Sequence, residues 1–366
     1  MANMAEKPRR RTIKLKNPVK ILSCANIGGE QEGEGPLKDW FDEIGKDGLF
    51  GEKTWEKAES EMQKRVLIRA LERADLKPDD LNFVLAGDLL NQCVASTFGL
   101  REFEIPFYGL YGACSTMGEA LSLGALLIDG GFADYCACLT SSHFATAERQ
   151  YRMPMPYGNQ RAPTAQWTAT AAGCAILARS TRVLNYNNNP GDITDHKPGE
   201  NNYNNYNNHD VWITRVTCGK IVDKGIKDAA NMGAAMAPAA YDTLQAFFSD
   251  TDTKPDEYDN IITGDLGELG HSIVRDFFRR DGMELGENFL DCGIMLYDRE
   301  KQDMHAGGSG CGCSASVFNG YILGQLKRGI WKRVIFAPTG ALLSPTSSFQ
   351  GESIPGICHA VCLESD

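Results

Sequence analysis

Lys77-Pro78-Asp79-Asp80-Leu81-Asn82-Phe83-Val84-Leu85-Ala86-Gly87-Asp88-Leu89 returns 177 residues later as Lys254-Pro255-Asp256-Glu257-Tyr258-Asp259-Asn260-Ile261-Ile262-Thr263-Gly264-Asp265-Leu266. Each copy reads as a Lys-Pro-Asp turn followed by a short apolar strand that ends at Gly-Asp-Leu. Each is preceded by a helical pattern. The first spans Thr54 to Leu76 with apolar Val66, Leu67, Ala70 and Leu71; the second spans Asn231 to Phe248 with apolar Met236, Ala239, Ala240 and Leu244. A second matched pair follows in the same order. Cys114-Ser115 opens an apolar helix that reaches Gly130 and then a strand, Tyr135 to Thr140; Cys313-Ser314 opens another that reaches Gly329 and then a strand, Arg333 to Ala337. Both Cys-to-Gly spacings are 16. Two copies of helix, strand, buried helix and strand predict an α/β fold of two duplicated halves sharing one core.

The expected division is a basic tail over 1–17, a first half over 18–225 and a second half over 226–366. Residues 185–210, rich in Asn and Tyr, are too polar to bury and read as a surface insertion between strands Cys174 to Leu184 and Val211 to Lys220.

A chain of 366 residues with 42% hydrophobic side chains is long and apolar enough for two cores. Its formal net charge of −11 argues against a nucleic-acid binder, which would present a basic face. The basic opening (Lys7, Arg9, Arg10, Arg11, Lys14, Lys16, Lys20) stands out on this acidic background. Contact with an anionic membrane surface and a solvated terminus both account for it, and the terminus is the simpler reading. The 12 cysteines are scattered among small apolar residues, as at Cys136 and Cys138, and read as reduced core thiols. The basic start leads into a strand-like stretch, not an apolar signal segment. The longest apolar run, Ala120 to Leu139, is broken by Asp129, Gly130, Gly131 and Asp134. No membrane span and an intracellular location are expected.

Two stretches carry candidate chemistry. In Tyr111-Gly112-Ala113-Cys114-Ser115-Thr116, a cysteine sits at a small-residue turn opening a helix, where free N–H groups and the dipole can stabilise a thiolate; an inert buried thiol is the alternative. Met304-His305-Ala306-Gly307-Gly308-Ser309-Gly310-Cys311-Gly312-Cys313 is a glycine-rich loop able to aim N–H groups at an anion or oxyanion. It matches neither a phosphate-cradling P-loop nor a dinucleotide fingerprint. Cys311 and Cys313 lack a second pair at ligand spacing, so no metal is predicted. His143, after the strand that follows the Cys114 helix, and His305, opening the glycine loop, are candidate bases. Asp88 and Asp265 end equivalent strands, where α/β folds present functional groups.

A helix-start cysteine, two fused halves and a late histidine before a glycine-rich loop resemble the thiolase superfamily. Ala86-Gly87-Asp88-Leu89-Leu90-Asn91-Gln92, Gly112-Ala113-Cys114-Ser115-Thr116, Thr140-Ser141-Ser142-His143, Met236-Ala237-Pro238-Ala239-Ala240, Gly307-Gly308-Ser309-Gly310-Cys311 and Gly340-Ala341-Leu342-Leu343-Ser344-Pro345 resemble, within it, the stage V sporulation protein AD family.

The resemblance implies a five-layer αβαβα pseudo-dimer that pairs into a homodimer. It also implies a non-catalytic binder of dipicolinic acid (pyridine-2,6-dicarboxylate), held as its calcium chelate. Such a protein supports uptake into the developing spore beside small membrane proteins, as a peripheral protein of the forespore or spore inner membrane. The implied ligand site is Cys114, Ser115, Ser141, Ser142, His143, Asp265, His305, Gly308 and Gly310, with serine hydroxyls donating to the carboxylates and Asp265 or Asp88 available to calcium. No cofactor beyond this ligand is implied. Condensing enzymes of the superfamily use a histidine or asparagine where this chain has Asp265, and a carboxylate there repels an oxyanion. Two alternatives stand beside this reading: an acyltransferase with Cys114 as nucleophile and His305 as proton shuttle, and a structural scaffold for membrane subunits.

Overall fold

The computed structural model describes residues 10–152, 161–180 and 209–366. Its centre is a sheet of ten principal strands, five from each half. The first half gives β1 (Thr12–Gly28), β2 (Phe83–Gly87), β3 (Phe107–Gly109), β4 (Tyr135–Ser142) and β5 (Ala171–Ala178); the second gives β6 (Val211–Thr217), β7 (Asn260–Thr263), β8 (Phe289–Asp291), β9 (Arg333–Ala337) and β10 (Ala360–Ser365). The order across the sheet is β8-β7-β9-β10-β6-β1-β5-β4-β2-β3.

Counted within its own half, each set of five therefore runs third, second, fourth, fifth, first. The directions match as well: β2 is parallel to β3 and β4 as β7 is to β8 and β9, and β5 and β10 are antiparallel to their neighbours. The duplication read from two strings thus extends to the whole strand plan. The halves join where β1 and β6 pair antiparallel, Thr12 opposite Thr217 and Lys20 opposite Trp212.

Two sequence-based boundaries change. Strand β1 begins at Thr12, so residues 12–17 belong to the sheet; Leu15 is buried there while Lys14 and Lys16 face outward. Strand β6 is the counterpart of β1, which puts the start of the second copy at Val211 rather than 226. These first strands carry no repeated string, and their equivalence is visible only in the pairing. The insertion at 185–210 lies outside the described residues except for His209 and Asp210.

The predicted helices are present. Helix α1 (Trp55–Ala74) is capped by the Thr54 hydroxyl, which accepts from Lys57 N, and Asp75 closes it in the left-handed conformation. Helices α2 (Val94–Leu100), α3 (Thr116–Asp129) and α4 (Phe144–Arg152) follow, then α5 (Met232–Thr251), capped by Asn231, and α6 (Gly267–Arg280). Helix α7 (Cys311–Val317) continues through a wide turn at Phe318–Ile322 into Leu323–Lys327.

Helix α1 lies on the outside of the first half against β1, β4 and β5, and α5 on the outside of the second against β6 and β10. Helix α3 touches strands of both halves and also α7. The continuous sheet therefore folds around a central helical layer, giving five layers. Leu121, Ala125, Val317, Phe318 and Ile322 of that layer pack against Leu85, Leu177, Phe336 and Val361 in one fully buried cluster. All 12 cysteines are free thiols, ten of them buried.

Candidate functional site

The site grows from the turn between β3 and α3. Ala113 sits in the left-handed region at φ 49°, a conformation a non-glycine side chain resists by about 1–2 kcal/mol. It is held there by local bonds: Ser115 Oγ donates to Gly112 O (2.7 Å), and Thr116 Oγ1 accepts from Gly112 N (3.2 Å) while donating to Ala113 O (2.7 Å). Cys114 lies in a single tight turn, Ala113–Ser115, two residues before α3 begins at Thr116. Strain and bonding together push its side chain to the floor of a pocket.

That pocket has about 450 Å³ of space including its open mouth. Cys114, Thr168 and Ser309 form polar points at its inner end. Leu89, Ala113, Ala147, Met232, Ala341 and Leu343 make apolar walls, and Tyr111, Tyr151 and Glu148 complete its described lining. Thr168 and Ser309 are brought together by a short parallel pairing of Trp167–Thr168 with Gly308–Ser309. The Tyr111 and Tyr151 hydroxyls meet at 3.0 Å, and Tyr151 also donates to Leu89 O.

Directly behind Cys114 is Asp265. Its Oδ2 accepts from Ser309 Oγ (3.0 Å) and Gly310 N (2.9 Å), and its Oδ1 from Thr339 Oγ1 (3.1 Å). Gly310 supplies that N–H from φ 95°, and an added Cβ there would lie 2.6 Å from Ser142 Oγ, so only glycine fits. Burial, opposed by hydrogen bonds from the Cys114 thiol, Gly310 N and Ser309 and reinforced by Asp291, pushes Asp265 up to about 7. Burial, and after it the Asp265 charge, raises the Cys114 thiol well above its ordinary value. Cys114 Sγ is 4.0 Å from Ser309 Oγ, and no histidine among the described residues lines the pocket. The helix-start thiolate that the spacing suggested is therefore opposed by burial and a facing carboxylate.

The other sequence candidates lie around the pocket rather than in it. His143 accepts from Ala145 N at Nδ1 (3.1 Å) and places Nε2 2.7 Å from Gly48 O; these partners assign a neutral ring with the proton on Nε2, and burial lowers its pKa. His305 is turned away, with Nδ1 2.8 Å from Ala162 O and Nε2 3.0 Å from Asp303 Oδ1. The hydroxyls expected to hold carboxylates are already committed: Ser115 to Gly112 O, Ser141 to Glu59 (3.0 Å) and Ser142 to Ala169 O (2.7 Å). Asp88 and Asp265 have no exposed surface, so neither can reach an ion in the cavity as first-contact ligand. Gly308 and Gly310 act through their backbone beside Ser309. Cys311 donates to Ser141 O (2.9 Å), and Cys313 is equally buried.

A family model described as Stage V sporulation protein AD matches residues 9–364. Over 355 residues the chain is 40% identical to Stage V sporulation protein AD of Bacillus subtilis (strain 168), covering 97% of both chains. The chain belongs to the stage V sporulation protein AD family. Among solved structures, this family member is similar to three thiolase-fold proteins. These are 3-oxoacyl-[acyl-carrier-protein] synthase III of Aquifex aeolicus (12% identity, 94% and 99% of the two chains covered, TM-score 0.56), human mitochondrial 3-ketoacyl-CoA thiolase in complex with CoA (12%, 97% and 99%, 0.55), and OleA of Xanthomonas campestris (14%, 96% and 100%, 0.58). At such identities the likeness carries the thiolase-like fold and nothing about activity.

One feature of this stage V sporulation protein AD family member was missed from sequence: a buried carboxylate pair behind α4. Glu59 accepts from Ser141 Oγ and, at 2.8 Å, from Thr146 Oγ1, while Asp88 accepts from Leu90 N and from Ser96 N and Oγ. The signal in the sequence is that Glu59 and Gln63 share the helix face of Ala58, Met62 and Val66, polar residues on an apolar stripe. Burial, and then the neighbouring Asp88, pushes Glu59 up to about 8 from 4.5.

Glu59 and Asp265 thus keep protons in the folded chain that the unfolded chain releases, and between those pKa values stability falls as pH rises. The melting temperature is expected to decline from pH 5 to about 8 on this account. A Glu59→Gln variant should show a flatter profile in scanning calorimetry; an unchanged slope would remove Glu59 as its source.

Proposed function

We propose that the Cys114 pocket binds the calcium chelate of dipicolinic acid and performs no covalent chemistry on it. The observation that carries this reading is the charge of the site. Glu148 lines the cavity, Asp265 behind the floor is raised to about 7 and so carries only part of a charge at neutral pH, and no described lining residue is a lysine or arginine. A free planar dianion would enter with no cation to meet it. The neutral chelate brings its own cation, presents a flat ring to Leu89, Leu343 and Tyr111, and leaves calcium positions open to hard oxygens. Glu148, the tyrosine hydroxyls and Ser309 offer such oxygens, in place of the buried Asp265 and Asp88. The raised thiol pKa of Cys114 and the missing histidine weigh against the acyltransferase alternative.

The test is ligand protection. Forced alkylation of Cys114 by iodoacetamide at alkaline pH, followed by mass spectrometry, should slow when calcium dipicolinate is present, and an acyl-CoA should leave no adduct. Absence of protection would remove the pocket assignment, and an acyl-Cys114 adduct would favour the enzyme.

In this reading the protein works as a homodimer beside membrane subunits; no helix among the described residues is itself long and apolar enough to cross a membrane. Strand β3 supports the dimer. Among the described residues it ends the sheet with an unpaired edge, and Phe107 and Tyr108 are 38% and 50% exposed there. Antiparallel pairing of two β3 edges would extend the sheet through both copies. Tyr108→Asp is expected to halve the mass measured by sedimentation equilibrium, and a monomeric parent protein would refute the dimer.

A further inference from the structure

A second cleft, of about 710 Å³ with its open mouth, lies on the second half between α5, the end of α6 and the segment 220–224. Its charged lining is Lys220, Lys224, Arg280, Asp242 and Asp281, and Tyr241, Phe277 and Val222 supply apolar surface. Both carboxylates are already engaged. Asp242 pairs with Arg11 (2.8 Å) and Lys220 (2.7 Å), while Asp281 accepts from the Tyr241 hydroxyl and from Gln245 Nε2 (3.2 Å). The last-turn carbonyls of α6 are also taken, by the N–H groups of Asp281, Gly282 and Met283.

Lys224 and Arg280 form no ion pair among the described residues. Among the residues that line the cleft, Lys220, Lys224 and Arg280 outnumber Asp242 and Asp281 by one positive charge, on a chain of net charge −11. Arg11 also fixes the basic opening segment here: its backbone N donates to Asp250 and its guanidinium to Asp242 O.

The geometry points to this cleft as a binding site for a phosphate group borne on an organic body. Two unpaired cations match a phosphate of charge −1 to −2, and the arginine fork suits its oxygens. The Phe277, Tyr241 and Val222 surfaces receive the attached apolar portion. The ion pairs among Arg11, Lys220 and Asp242 hold segment 220–224 and α5 together beforehand, so the cations need little reordering on binding. The site is separate from the Cys114 pocket and does not depend on the ligand proposed there.

Two probes separate the sources of such a phosphate: glycerol 3-phosphate in calorimetric titration, and phosphatidylglycerol vesicles in co-sedimentation with phosphatidylcholine vesicles as control. The full-length protein is expected to bind at least one of them, salt-sensitively. Lys224→Glu and Arg280→Glu, both at exposed positions, should each weaken that binding by about tenfold or more while leaving the melting temperature unchanged. Binding to vesicles alone assigns a lipid headgroup, and binding to both assigns a phosphate from either source. Failure to bind either probe, or equal binding by the charge-reversed variants, overturns the proposal.

Discussion

A Glu148→Lys variant is expected to reverse the ligand preference of the Cys114 pocket, binding free dipicolinate more tightly than its calcium chelate. In the unsubstituted protein Glu148 is the acid of the described lining, and Asp265, raised to about 7, lies behind the floor. A chelated calcium gains from the Glu148 carboxylate and a bare dianion is repelled by it, while Asp265 adds only part of a charge. Placing an ammonium at 148 removes the carboxylate oxygen that calcium would use and supplies the partner that the dianion lacks. Such charge reversals at ligand contacts change affinity by about tenfold to a hundredfold. Equilibrium dialysis with and without a calcium chelator reads the change directly. An unaltered preference would mean that Glu148 does not face the ligand.

Phe318→Ala should be the most destabilising single substitution in the central layer, costing about 3–5 kcal/mol. Phe318 is fully buried at the start of the wide turn in α7, and its ring lies 4.6 Å from that of Phe336 on β9. Truncation opens a cavity where the helical layer meets the second half of the sheet, and two rigid layers cannot collapse into it. The matched control is Phe349→Ala, at 84% exposure, which should change stability by less than about 0.5 kcal/mol. Urea unfolding midpoints for the pair measure the contrast. Equal loss in both would contradict the layer assignment.

Much of the fold was legible because the duplication repeats a local pattern. The Lys-Pro-Asp turns became tight turns at Pro78–Asp80 and Pro255–Glu257, Thr54 and Asn231 became helix caps, and Arg333–Ala337 is a strand with the predicted limits. The equivalence of β1 and β6 was not legible, because it depends on pairing between segments about 200 residues apart.

For the site, the position of Asp265 just past a strand end and of Cys114 in the turn that opens α3 followed from local sequence. The directions of side chains did not. His305 adjoins the glycine loop in sequence, yet its φ of 51° and its bonds to Ala162 and Asp303 turn it aside. Ser141 and Ser142 sit at the end of a buried strand, but tertiary partners claim their hydroxyls. Tyr151 and Glu148 are carried into the lining by α4, a helix whose placement no sequence motif announced.

The central claim, a non-covalent site for a neutral chelate, is tested most directly by isothermal titration of the unsubstituted protein with calcium dipicolinate, and with dipicolinate plus a calcium chelator. The account predicts saturable binding of the chelate, one per chain, and binding of the free dianion at least about tenfold weaker. Equal or tighter binding of the dianion, or no heat with either ligand, would contradict it.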